Sequence, residues 1–180
     1  GIGAFDSCNK LASITIPSSV TSIGVGVFDG CTELKEVLLE GGSTLTSGQL
    51  GVDASIIKTY WNEDNLTWTL TADGTMTISG SGAMMDYDIV DSPAYGNGKI
   101  KKVVIENGVT SIGTSAFSGC SNLTSIEIPS SVTSIGNGVL QGCSILTGIT
   151  IPESVTSIGD SAFFGCRSLT SITIPKNVTS

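Results

Sequence analysis

The sequence contains no histidine, and only 13% of its residues are charged. The missing imidazole excludes Ser-His-Asp and Cys-His catalysis, histidine-ligated zinc and a histidine-based pH switch within this chain. It also lacks a run of 18 or more apolar residues, so it predicts no membrane span. Eight Lys and Arg stand against sixteen Asp and Glu, for a formal net charge of -8. Phosphate backbones repel such a chain, which argues against nucleic acid as a partner.

What the sequence does contain is a 23-residue repeat. Three columns show the step most clearly: Cys120, Cys143 and Cys166; Pro129, Pro152 and Pro175; Ile128, Ile151 and Ile174. Within one unit, alternation places Ile126 and Ile128 on one face of a short strand. Pro129 ends that strand because proline cannot donate to a ladder. Val132 and Ile135 predict a second inward-facing extended stretch.

A further segment of each unit carries Ala116, Phe117 and Cys120. This spacing predicts a tight helical turn that folds its apolar side inward. One unit alone buries too little apolar surface to offset the entropy of ordering 23 residues. Stacking of units must therefore provide the core, which is the logic of a solenoid.

The units CSNLTSIEIPSSVTSIG and CRSLTSITIPKNVTS resemble BspA-like (Treponema pallidum type) leucine-rich repeats, over residues 1–39 and 100–180. The resemblance implies a mostly β solenoid, a right-handed superhelix of short parallel strands and short helical turns. It also implies a secreted or cell-surface protein of gut or other host-associated bacteria, with a role in adhesion or protein binding.

The repeat loses its phase after Leu39. We expect Asp53 or Ser55 to cap a short helix through Ile56, Ile57 and Tyr60. Residues 1–62 are then the C-terminal end of a first array with its closing cap.

Two alternating runs, Leu66–Leu70 and Met76–Ile78, flank Asp73-Gly74 and predict an inserted β-hairpin. Residues 63–99 are assigned to this hairpin and an N-terminal cap, and residues 100–180 to a second, truncated array. Because Gly1 and Ser180 fall inside repeats, we expect a fragment with an open apolar end that self-associates end to end.

The residues that carry chemistry favour structural roles. The five cysteines share one repeat phase, and stacked strands about 4.8 Å apart suit a buried apolar column better than disulfides. The loop with Asp86, Asp88 and Asp91 lacks the spacing of a calcium-binding loop, so a solvated acidic loop is favoured. The sequence predicts no catalytic residue, metal or cofactor, and hence no enzyme.

The outward side of the strands is the remaining candidate. Its rows are Val104, Glu127, Thr150 and Thr173, beside Lys102, Ser125, Gly148 and Ser171. One hypothesis is a protein-binding face, with a host extracellular protein as partner. The alternative is a structural spacer or display stalk whose strand face is simply soluble. No aromatic residue is expected on the face, so binding would be weak per repeat, and the sequence names no ligand.

Overall fold

The structure, a computed structural model, describes all 180 residues. It is a β-solenoid with coils of about 23 residues and very little helix, as the repeat predicts. The chain divides into two compact units, which are described separately. Unit 1 comprises Gly1–Trp61 with Thr69–Asp73, and unit 2 comprises Asn62–Trp68 with Gly74–Ser180.

Unit 1 is built on parallel strands. Its elements are β1 (Ser13–Ile16), β2 (Glu36–Glu40), α1 (Ser47–Leu50), a 3-10 helix (Ala54–Ile56) and β3 (Ile57–Glu63), whose last two residues fall in unit 2. Ser13 pairs with Glu36, an offset of one repeat. Val37 pairs with Ile57, so the coil after β2 is three residues shorter. The buried side of these strands carries Ile16, Val37 and Leu39.

The helix expected after Asp53 is wrong beyond Ile56. Asp53 does cap a 3-10 turn, because its carboxylate accepts the N–H of Ser55 at 2.8 Å. From Ile57 onward the chain is strand β3, including Tyr60. The β-branched and aromatic residues of this stretch favour a strand, and the free edge of β2 supplies the ladder that decides it.

Unit 2 carries the remaining strands in three sets. They are β4 (Leu66–Thr71, its second half in unit 1), β5 (Thr75–Gly80), β6 (Gly82–Ala83), β7 (Lys102–Ile105), β8 (Val109–Ile112), β9 (Ser125–Glu127), β10 (Ser134–Ile135), β11 (Gly148–Thr150), β12 (Ser157–Ile158) and β13 (Ser171–Thr173). Strand β7 lies in parallel between β5 and β9. Strands β6, β8, β10 and β12 form a second sheet in that order, and β11 pairs with β13 alone.

The predicted hairpin is present. Strands β4 and β5 flank the turn that holds Asp73-Gly74, and both alternate between buried and half-buried residues. At its open end the Ser81 N–H donates to the Asn65 carbonyl at 3.3 Å. No helix of the chain has the length and hydropathy that a membrane span requires.

The core of unit 2 follows the repeat columns. One buried set consists of Ile100, Val103 and Ile105. The residues one repeat later are Leu123 and Ile126, which are also buried, and Ile128, which is half-buried. The segment with Phe117 is a series of tight turns without a regular helix. Its backbone N–H groups donate in turn to carbonyls of the same coil and of the next coil. The Ser118 N–H donates to the Ser115 carbonyl, whereas the Phe117 N–H donates to the Val139 carbonyl at 3.0 Å. Hydrogen bonds between coils thus replace the continuous ladder of a helix.

Candidate functional site

The two predicted rows lie on neighbouring strands in register. Lys102 pairs with Ser125 and Val104 with Glu127 across β7 and β9. Gly148 pairs with Ser171 and Thr150 with Thr173 across β11 and β13. Because parallel partners point to the same side of a sheet, each row presents its side chains to one surface. We call this surface the strand face. All of the predicted residues lie on it.

The strand face carries one ion pair. Lys102 Nζ lies 2.6 Å from Glu127 Oε1, and the two side chains are 41% and 60% exposed. The pair joins one residue of each row. These are the only two charged residues of the rows, so their charges cancel. An exposed pair of this kind adds little to stability. The face is therefore electrically neutral and rich in hydroxyl groups.

A hollow interrupts the strand face at Gly148. Its volume is about 420 Å3, and it is lined by Ser125, Ile126, Gly148, Ile149, Thr150, Ser171, Ile172 and Thr173. Strands β9 and β11 belong to consecutive coils, yet no hydrogen-bonded ladder joins them. The Thr124 N–H donates to the Lys101 carbonyl at 2.8 Å, but the equivalent bond from Thr147 to Thr124 is not made. Five of the predicted rows' residues line this one hollow.

Unit 1 has a corresponding outward surface on β2 and β3, and sequence reasoning missed one residue there. Tyr60 pairs with Glu40 on this side, so an aromatic ring does stand on it. Lys58 Nζ lies 2.6 Å from Glu36 Oε1 on the same side. The sequence signal for this side is the alternation of residues 57–61. Tyr60 thus adds an aromatic ring to the outward side of unit 1, whereas the predicted rows of unit 2 contain none.

The cysteine column is a packing feature. All five cysteines are free. Cys120, Cys143 and Cys166 each direct Sγ to a carbonyl oxygen of the preceding coil, at 3.2, 3.3 and 3.2 Å. Burial raises the pKa of Cys120 to about 12 and also raises that of Cys143 and Cys166. A nucleophilic cysteine needs the opposite shift, so these thiols are poorly suited to catalysis.

The acidic loop does not assemble a cation site. Asp86 is engaged internally, since its carboxylate accepts the Thr114 N–H at 2.6 Å, and this bond lowers its pKa. Asp88 and Asp91 lie at the two ends of a turn closed by their backbones. No group of three or more His, Cys, Asp or Glu residues is arranged to hold a metal ion.

A buried aromatic cluster lies at the start of the unit 2 array. Trp68 packs against Phe117 with ring centroids 5.4 Å apart and meets Tyr87 edge-on at 6.0 Å. The Tyr87 hydroxyl donates to the Glu63 carboxylate. Burial and this carboxylate raise the pKa of Tyr87. The Trp68 N–H is buried beside them and makes no hydrogen bond. The cluster is closed to solvent and serves packing.

The repeat columns, their register and the strand face can be compared with known proteins. The BspA type leucine rich repeat region matches residues 1–50 and 88–180, in six copies. The chain belongs to this family. A search of curated proteins gave no significant match.

Several solved structures are similar. A leucine-rich repeat protein from Eubacterium ventriosum is 34% identical, with a TM-score of 0.52, over 67% of this chain and 38% of that one. The Treponema pallidum leucine rich repeat protein is 28% identical over 66% and 62%, with a TM-score of 0.49. A leucine rich cell surface protein from Faecalibacterium prausnitzii is 25% identical over 94% and 61%, with a TM-score of 0.39. The chain thus spans less than two thirds of each of these proteins.

Proposed function

We propose that the chain is a non-catalytic binding module of a secreted or cell-surface protein, and that its strand face binds a protein partner. The observation that carries the proposal is the register of the two rows. Lys102 and Val104 lie in register with Ser125 and Glu127, and Gly148 and Thr150 lie in register with Ser171 and Thr173, so both strand pairs present outward side chains that the core does not use. Membership in the BspA-type family supports the binding role and the compartment.

The chemistry of the molecule is consistent with binding rather than turnover. The chain has no histidine, and burial raises the pKa of its column thiols. The strand face instead offers hydroxyl groups and one exposed ion pair. Such a surface supports many weak contacts spread over several coils, so affinity grows with the number of coils engaged.

The proposal is tested by blocking the face without disturbing the core. Thr150→Arg and Thr173→Arg add bulk and charge at two exposed positions on it. The matched controls are Thr110→Arg and Ser130→Arg, which are also exposed but belong to neither row. Immobilised chain is exposed to human extracellular-matrix and mucin proteins, and capture is quantified by mass spectrometry. We expect capture by the wild type and the controls, and its loss in the face variants.

A second candidate is a structural spacer that displays another domain. The even, neutral character of the strand face favours it, because a soluble strand surface needs nothing more. A spacer predicts that the face variants and the controls behave alike in every capture experiment. Equal capture, or no capture by the wild type from any of these proteins, would favour the spacer over the binding module.

A further inference from the structure

Gly148 stands where other coils of the row carry a side chain. Its column reads Lys102, Ser125, Gly148 and Ser171. Glycine weakens a strand, because it has no side chain to pack and loses more backbone entropy on folding. A glycine in a strand therefore calls for a reason, which is a special backbone conformation, a crowded neighbour or the close approach of something else.

The first two reasons fail at Gly148. Its φ does not lie in the left-handed region. A Cβ added to it would meet no atom within 4 Å. Other glycines of the same array do have such a reason: a Cβ on Gly113 would lie 1.8 Å from the Met85 carbonyl oxygen. The close approach of another molecule to the backbone is then the candidate reason at Gly148.

The hollow around Gly148 indicates what kind of molecule fits. None of its lining residues is ionisable, in a chain whose net charge is -8. A charged group entering it would lose hydration and gain no counter-charge. The hollow therefore matches an uncharged segment.

Hydrogen-bonding groups at the hollow match a peptide backbone. Ser125, Thr150 and Ser171 line it with hydroxyls, each of which both donates and accepts. A peptide backbone offers the complementary groups, amide donors and carbonyl acceptors. An extended peptide presents both groups at strand spacing, as in other strand-recognising sites. No aromatic ring lines the hollow to stack on a sugar.

We propose that Gly148 marks the point where the backbone of an uncharged, extended peptide segment of the partner comes closest to the strand face. This inference rests on the proposed function and specifies its partner. The missing side chain lets the segment settle into the hollow, beside Ser125, Thr150 and Ser171. A side chain at position 148 would hold the segment off the face.

The experiment uses two displayed heptapeptide libraries as probes. One omits Asp, Glu, Lys, Arg and His, and the other carries a charged residue at every second position. Enriched peptides are synthesised, and their Kd values are measured by calorimetry on the full chain. We expect the uncharged library to enrich. Gly148→Thr should weaken those peptides about tenfold or more, the equivalent of roughly 1.4 kcal/mol, with Gly148→Ala in between.

The control is Gly48→Thr in α1, where an added Cβ likewise meets no atom within 4 Å. It should leave the affinity unchanged and keep or slightly raise the Tm. Gly148→Thr should also keep or raise the Tm, because threonine suits a strand better than glycine. A clear fall in Tm would show a structural role for Gly148 and overturn the inference.

Other outcomes separate this inference from the proposed function. If peptides lose affinity with Thr150→Arg but keep it with Gly148→Thr, the role of Gly148 is refuted and the strand-face function stands. If only the charged library enriches, the uncharged peptide is refuted. If neither variant changes binding of any captured partner, both proposals fail.

Discussion

One substitution, glycine to alanine, should have opposite consequences at two positions of the same array. A Cβ on Gly136 would lie 2.6 Å from the Thr114 nitrogen and 2.8 Å from the Gly113 carbonyl carbon. Both atoms are backbone, so no side-chain rotation relieves the contact. A Cβ on Gly148 meets nothing within 4 Å. Neither glycine has a positive φ, so the space available is the principal difference between them.

The local hydrogen bonds determine the size of the effect at Gly136. Its N–H donates to the Ile112 carbonyl at 2.8 Å, and Ser115 N–H donates to the Asn137 carbonyl at 2.8 Å. These bonds hold the two coils at the distance that the added carbon violates. Overpacking costs about 1–3 kcal/mol, and weakening one such bond about 1 kcal/mol. We expect Gly136→Ala to lower the free energy of unfolding by about 2–4 kcal/mol.

Gly148→Ala should act in the other direction. With no clash, alanine restricts the unfolded chain and stabilises the protein by about 0.4–1 kcal/mol. Urea unfolding followed by far-UV circular dichroism measures both variants against the wild type. The slopes must be compared as well as the midpoints, because repeat proteins can unfold in parts. Equal midpoints for the two variants would refute the reasoning from coil contact.

Three further predictions concern titratable groups. Buried Cys120 should react with iodoacetamide far more slowly than exposed Cys8 in the native protein, and the difference should disappear in urea; equal native rates by mass spectrometry would contradict this. Because the folded state disfavours the Cys120 thiolate, the free energy of unfolding should also fall as the pH rises from the ordinary thiol pKa of 9.0 toward about 12. Asp86→Asn should remove a stabilisation that is present above pH 3.8 and lost in more acidic solution, because the folded state lowers that pKa; an unchanged acid-unfolding curve would count against it. Tyr87→Phe should cost about 1–2 kcal/mol by leaving Glu63 without its donor, seen as a lower midpoint in urea.

Much of the fold was predictable because the repeat sets the register. An offset of one unit aligns Lys102 with Ser125 and Ser134 with Ser157, since every coil must bury equivalent residues to continue the core. The same logic placed the predicted rows on one face. It also predicts the packing role of the cysteines, whose thiols contact carbonyl oxygens of the preceding coil.

The segments outside the repeat were harder to predict. Residues 57–61 follow the helix-capping residue Asp53 but are themselves strand-forming. Their pairing with β2 decides in favour of the strand. Ala94 likewise stands one repeat before Phe117, where a large side chain is expected. Both Ala94 and Trp68 are fully buried, and Trp68 packs against Phe117. Trp68 comes from the hairpin, so its contact with Phe117 is one that repeat spacing alone does not reveal.

The glycines show where sequence and structure must be combined. Gly113, Gly136 and Gly159 recur at the repeat interval, and each has neighbouring atoms within 3 Å of an added Cβ. Glycine thus recurs in this column because every coil lacks room for a side chain there. Gly148 occurs in a column whose other members carry side chains, and its added Cβ meets open space. A residue that departs from its column without a packing reason is where selection on something other than the fold can act. On that ground Gly148, rather than the more numerous hydroxyl residues around it, is the position that tests the peptide inference most directly.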